Sequence, residues 1–270
     1  RLAGLRDLYN QKRMAVVANV GMLVRPVTRD EYRARRVPLP RNLYSHSDQV
    51  TQWQSSNPQG AAGTGWGGRI ADLMTGSREG VLPPNISVAG NSLLLSGRQT
   101  FAANLSPGND FGLESIGNGA ADQARLDAFQ QIVRLDTGAS MVTAASGVLA
   151  RGLESAQQLR AALRGARPLT TEFPNTSLAQ QLKQVAQIIS LHADIGATRQ
   201  IFFCSQGGYD NHSDLLPSHD SLLNVLGPAM TAFYRATGEL GVAESVTAFT
   251  ASEFGRTMNA SSTIGGDHAW

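Results

Sequence analysis

Asp210 and His212 stand two residues apart in Gly207-Gly208-Tyr209-Asp210-Asn211-His212, directly after the apolar run Ile201-Phe202-Phe203-Cys204. In an extended loop, residues i and i+2 project to the same side, so both side chains can reach one metal ion. A second pair, Asp267-His268, follows Gly265-Gly266, and Glu253 follows the run Ser245-Val246-Thr247-Ala248-Phe249-Thr250-Ala251. Carboxylate with imidazole is the ligand mixture of zinc, manganese and related ions. Adjacent Asp267 and His268 point to opposite sides if extended, so they can serve two neighbouring metals; two ions about 4 Å apart suit in-line transfer of a phosphoryl or similar group. The plainer alternative is a polar turn after each strand, with Asp and Asn shaping the backbone. Ser45, in Tyr44-Ser45-His46-Ser47-Asp48-Gln49, precedes a helical segment that begins near Val50. It suits an ordinary helix N-cap. Equally, a hydroxyl at a helix N-terminus lies where an oxyanion is favoured, and a nearby metal would help ionise it into a nucleophile.

The elements that must position these groups follow from periodicity. Leu2, Leu5, Leu8 and Tyr9 give Arg1–Arg13 one apolar stripe, and Met14–Val20 reads as a short buried strand. Thr28-Arg29-Asp30-Glu31 has the spacing of a capping box. Asn57–Gly68 is glycine-rich but lacks the Gly-Lys-Ser/Thr ending of a phosphate loop, which excludes nucleotide binding there. Arg69–Met74 begins a helix, Asn85–Ala89 and Ser92–Ser96 form a hairpin about Gly90-Asn91, and 99–119 is surface loop. Between Ala120 and Gly165, two helices carry core stripes through Leu126, Ile132, Leu135, Met141, Leu149 and Leu159. Asn175-Thr176-Ser177 caps a further helix that ends near His192, and Ser218 caps another, with Gly227-Pro228 as a kink. Helices alternating with the runs at 201–204 and 245–251 predict an α/β protein, a mainly parallel sheet flanked by helices. Open sheets of this class bind ligands beyond the carboxyl ends of their strands, which is where Asp210 and Glu253 fall.

Composition narrows the function. The 270 residues suffice for one large domain spanning 1–270, and 41% apolar with 16% charged residues is globular. A net charge of +2 offers no case for a nucleic-acid partner. Cys204 is the single cysteine, so neither an intrachain disulfide nor a cysteine-based zinc cluster is available. No apolar run is long enough for a transmembrane segment, and no signal peptide is visible.

Gly207-Gly208-Tyr209-Asp210-Asn211-His212, Thr250-Ala251-Ser252-Glu253-Phe254-Gly255-Arg256-Thr257 and Gly266-Asp267-His268-Ala269-Trp270 resemble the bacterial "domain of unknown function 1501" family. Tyr44–Gln49 and the segment from Val88-Ala89-Gly90-Asn91 to Gly97-Arg98 fit the same pattern, so the resemblance covers nearly the whole chain. That family is similar in fold to the alkaline phosphatase/sulfatase superfamily, where metal-bound Asp and His residues flank a Ser, Thr or formylglycine nucleophile. The resemblance implies Asp210, His212, Asp267 and His268 as ligands of a divalent metal: zinc, manganese or calcium. It implies Ser45 as nucleophile, with Ser47 second, and Arg256 on an anionic substrate oxygen. A typical sulfatase has Ser-Asp-His-Gly where this chain has Ser252-Glu253-Phe254-Gly255, so one His ligand is lost and Glu253 is its candidate replacement. It also implies a fragment incomplete at both ends, lacking an earlier Gly-Gly-x-Asp strand end and a C-terminal segment. Family members commonly carry export signals, which implies a periplasmic or extracellular setting.

Two functions follow as expectations. One is a metal-dependent hydrolase of phosphate or sulfate esters, acting on a small anionic substrate. The other is a non-catalytic relative that keeps the fold as a binding or assembly module, favoured by the loss of His at Phe254. A serine-hydrolase triad is disfavoured, because no Gly-x-Ser-x-Gly elbow exists.

Overall fold

The computed structural model describes residues 1–60, 63–74, 82–107, 117, 119–135 and 138–270; Ala61, Ala62 and part of the loop expected over 99–119 lie outside them. Strand β1 (Asn85–Ser87) is central, paired in parallel with β2 (Ala103–Asn104) on one side and β3 (Ile201–Phe203) on the other. Ile86 lies opposite both Ala103 and Phe202. Alternation along the strand sends Ile86 into an apolar cluster with Leu82, Leu159, Ile188, Leu191 and Ile195. Asn85 and Ser87, fully buried, donate to the carbonyls of Leu95 and Gly90, which satisfies much of the polar surface that burial would leave costly.

Parallel strands need crossovers, and helices supply one of them. Helix α1 (Ala3–Asn10) is followed by α2 (Arg29–Arg33), whose capping box closes as expected: Thr28 Oγ1 accepts from Glu31 N at 3.2 Å, and Thr28 N donates back to Glu31 at 2.9 Å. Next come α3 (His46–Ser55) and α4 (Trp66–Met74), before β1. Between β2 and β3 run α5 (Ala120–Val133), α6 (Ser140–Gly165) and α7 (Ser177–Ser190), the last capped by Thr176. Helix α8 (Leu215–Glu239) packs along α7 through Val185, Ala186, Ile189, Phe233 and Ala236. A two-stranded antiparallel ribbon, β4 (Gly255–Arg256) with β5 (His268–Ala269), completes the chain. The class is α/β with a small parallel sheet. No helix among the described residues is long and apolar enough to cross a membrane.

Several expected elements differ. Met14–Val20 and 246–251 belong to no sheet, Ser245 falls in a 3-10 turn, and Val16, Val17, Val20 and Phe249 are exposed. An apolar run becomes a buried strand only when a neighbour takes its backbone hydrogen bonds, and no described segment pairs with either run. The hairpin about Gly90 is absent: β1 pairs only in parallel, and Leu93–Leu95 forms a 3-10 turn instead. That turn docks on the glycine-rich stretch, where a Cβ at Gly65 would sit 2.0 Å from the Leu93 carbonyl and one at Gly68 would sit 2.1 Å from Ser96. The glycines therefore serve close packing. Helix α8 starts after Asp214 rather than at Ser218 and runs unbroken through Pro228. Gly227 admits the start of the chain, since a Cβ there would lie 2.6 Å from the Arg1 carbonyl. Of the expected stripes on α5 and α6, Ile132, Leu135, Met141 and Leu149 are exposed; α6 enters the core at Leu159.

Candidate metal centre

The loop after β3 turns sharply at Gly208, whose φ of +95° is left-handed backbone, and then presents Asp210 and His212. It is tied down from the 261–266 segment. Gly266 N donates to Asn211 O at 3.1 Å, Thr263 Oγ1 donates to His212 O at 2.5 Å, and Ser213 bridges Ile264. The crossing is tight: a Cβ on Gly265 would lie 2.0 Å from the carbonyl carbon of His212.

The β4–β5 ribbon brings the second set. Arg256 and His268 are directly opposed, so their side chains share one face of the ribbon. Both reach Asp210 Oδ1: Arg256 Nη2 donates to it, and His268 Nε2 lies 3.2 Å away. His212 Nε2 lies 3.0 Å from the same oxygen and 3.0 Å from His268 Nε2. The Arg256 guanidinium foremost, with His268 and His46 adding to it, holds the Asp210 carboxyl well below the usual carboxylate range. Asp267, next to His268, points elsewhere; its Oδ1 is 3.6 Å from His212 Nδ1 and it is exposed.

Helix α3 brings a third group. His46, its first residue, sets Nε2 3.2 Å from Asp210 Oδ2. Its ring packs on Phe254 at 4.8 Å and meets the His268 ring edge-on at 4.5 Å. Phe254 stands where the resemblance led a His to be expected, and the His46 ring packs beside it from another element. Ligand atoms of His46, Asp210 and His268 all lie within 4.8 Å of one another. His46 was not singled out from sequence; its one signal was its place inside the Tyr44–Gln49 string beside Ser45.

Hydrogen bonds on the far side of two rings orient them. A carbonyl only accepts, so in the 2.7 Å contact His268 Nδ1 donates to Tyr44 O, and Nε2 is the nitrogen turned toward Asp210. The His46 Nδ1 contact with the Glu253 carboxylate does the same for His46. Both Nε2 atoms then face Asp210, at 3.2 Å each. His46 Nε2 is buried and makes no hydrogen bond. The donor set fits a divalent ion.

The remaining expected residues take these places. Ser45 is the α3 N-cap, accepting from Asp48 N and donating to Asp48 Oδ2 at 2.6 Å, with Ser47 Oγ 3.4 Å away. That bond, with help from Asn42, lowers the Asp48 pKa. Arg256, besides holding Asp210, donates to the carbonyls of Gly266 at 2.8 Å and Tyr209 at 3.3 Å. Glu253 contacts His46 rather than the cluster's interior. Tyr44 has a left-handed φ of +72°, an uncommon state for a bulky residue that the surrounding structure must enforce. Burial, then the 2.7 Å bond to the Tyr32 hydroxyl, pushes its phenol up to about 12. Cys204 is likewise pushed up to about 12 by burial, which leaves it an inert core thiol. His192 sits at the end of α7 against the Ile189 carbonyl, and His219 packs on Tyr209.

The family model described as "Protein of unknown function (DUF1501)" matches residues 6–270. Neither the curated proteins nor the solved structures include a match to the chain.

Proposed function

The chain belongs to the DUF1501 family, and from that premise we propose that it is an exported, metal-dependent hydrolase of phosphate or sulfate esters on an alkaline phosphatase-like fold. The observation that carries this reading is the His46–Asp210–His268 cluster, whose ligand atoms lie within 4.8 Å of one another. Two imidazoles and one carboxylate with open positions remaining are a donor set of hydrolytic zinc sites, and they suit zinc or manganese better than calcium. A divalent ion held there supplies Lewis acidity toward an ester oxygen and lowers the pKa of bound water.

The chain's own residues prepare that chemistry. Arg256 keeps Asp210 ionised, as a ligand must be. Tyr44 O and Glu253 hold two imidazoles by Nδ1, with Nε2 toward Asp210. Ser45 stands at the N-terminus of the ten-residue helix α3, where unpaired N–H groups favour an oxyanion. His212 and Asp267 border the cluster and are placed to meet the substrate side or a second ion. The periplasmic or extracellular setting rests on the family resemblance alone.

The second reading, a non-catalytic binding or assembly module, draws on a specific observation. Ser45 is engaged with Asp48, and the Arg256 guanidinium is committed to Asp210 and two carbonyls. Assay of the metal-depleted chain on aryl phosphate and aryl sulfate esters, with Zn²⁺, Mn²⁺ or Ca²⁺ restored, separates the two. The hydrolase reading expects turnover with zinc or manganese that falls on the order of 100-fold or more in Asp210→Asn, since several kcal/mol of charge stabilisation go with the ion. Absence of turnover with all three ions sinks it.

A further inference from the structure

We propose that Glu253 is a positioning residue and not a metal ligand: its carboxylate takes the His46 Nδ1 proton as a hydrogen bond, fixes the ring's tautomer and aims Nε2 at Asp210. The proposal rests on the metal reading above and assigns an outer shell to that same site.

Three observations carry it. Glu253 touches Nδ1, the nitrogen that faces away from Asp210, while Nε2 lies 3.2 Å from Asp210 Oδ2. The ligand atoms gathered within 4.8 Å belong to His46, Asp210 and His268, and Glu253 is not among them. His268 is held in the same manner, its Nδ1 donating to Tyr44 O at 2.7 Å. The two imidazoles are therefore a matched pair, each with Nδ1 anchored and Nε2 turned toward Asp210, one by a carboxylate and one by a carbonyl. Phe254 packs against both rings, at 4.8 Å from His46 and 4.5 Å from His268, and closes them against rotation. Such carboxylate–histidine–metal relays orient the ligand and raise its basicity. The departure at Glu253-Phe254 is thus a change of role: the acid orients a histidine supplied by α3, and the phenyl ring walls it in.

The test uses the full chain. In the metal-free protein, ¹⁵N shifts of the His46 ring should show Nδ1 protonated and Nε2 bare, and Glu253→Leu should produce a mixture of tautomers. Zinc affinity, read by competition with a chromophoric chelator, should fall roughly 10–100-fold in Glu253→Leu. Glu253→Gln, which keeps an acceptor oxygen, should fall less, and it serves if the Leu variant does not fold. In a His46→Ala background the Glu253→Leu change should cost no further affinity. A Glu253→Leu loss of tenfold or more that persists without His46 makes Glu253 a direct ligand and overturns the proposal. A wild-type ring bare at Nδ1 overturns it as well. If the wild-type chain takes up no zinc, the metal reading fails, and the tautomer measurement alone decides whether Glu253 positions His46.

Discussion

At the scale of single residues, Asp210 is the hub: Arg256, His212 and His268 meet one of its oxygens and His46 faces the other. Ser45 is the residue whose role is most sharply testable. If it is the nucleophile, Ser45→Ala abolishes ester hydrolysis while removing an N-cap, at about 1 kcal/mol of stability. Turnover equal to wild type in that variant, measured beside its unfolding midpoint, leaves Ser45 as a cap only. Asp210, His212, Asp267 and His268 were legible because each pair follows glycines or a strand, and local spacing places such side chains on a shared loop. The structure brings Asp210, His212 and His268 together and leaves Asp267 exposed at their border. His46 was illegible for a physical reason: it meets Glu253 across 207 residues of chain, and no local pattern encodes such an approach. Glu253 was found but its contact with His46 was not, because sequence shows that a carboxylate is near a site and not which nitrogen it faces.

At the scale of elements, the centre depends on the crossing of the 210–213 loop with the 261–266 segment. Gly265→Ala forces a methyl to within 2.0 Å of the His212 carbonyl group, so the two segments must part. Lower thermal stability and weaker zinc uptake are expected together in this variant. Wild-type zinc affinity with an unchanged melting temperature would show that the crossing yields without cost. The helices were largely readable, α2 from its capping box and α7 from Thr176 and its apolar stripe, because helical signals are local. Strands were less so. β1 and β3 are real, yet Met14–Val20 and 246–251 have equally apolar sequences and no partner. Strand identity is a property of pairing, which lies outside the run itself.

At the scale of the whole molecule, two carboxylates that are not part of the centre tie distant segments together and set how the protein responds to acid. Asp72 accepts from Thr100 Oγ1 and from the amides of Arg98, Gln99 and Thr100, which hold it at about 2. Glu239, at the end of α8, accepts from the Thr170 and Thr171 amides and the Thr171 hydroxyl and is also held at about 2. Both fall below their unfolded values of 3.8 and 4.5, so the unfolded chain binds the proton first as pH drops. Their stabilisation is complete above the unfolded values and is lost as pH falls toward 2. Melting temperature should decline across that window, and the decline should flatten in Asp72→Asn with Glu239→Gln; an identical slope in the double variant would rule these two carboxylates out. The centre itself has a different consequence. Its parts are divided along the chain, with His46 before α5 and α6 and Asp210 and His268 after them. Were the polypeptide split in the connection between those helices, neither piece would hold the set. Capture of an ion would then be a logical AND on the two halves, a signal that they have found one another and that neither can counterfeit alone.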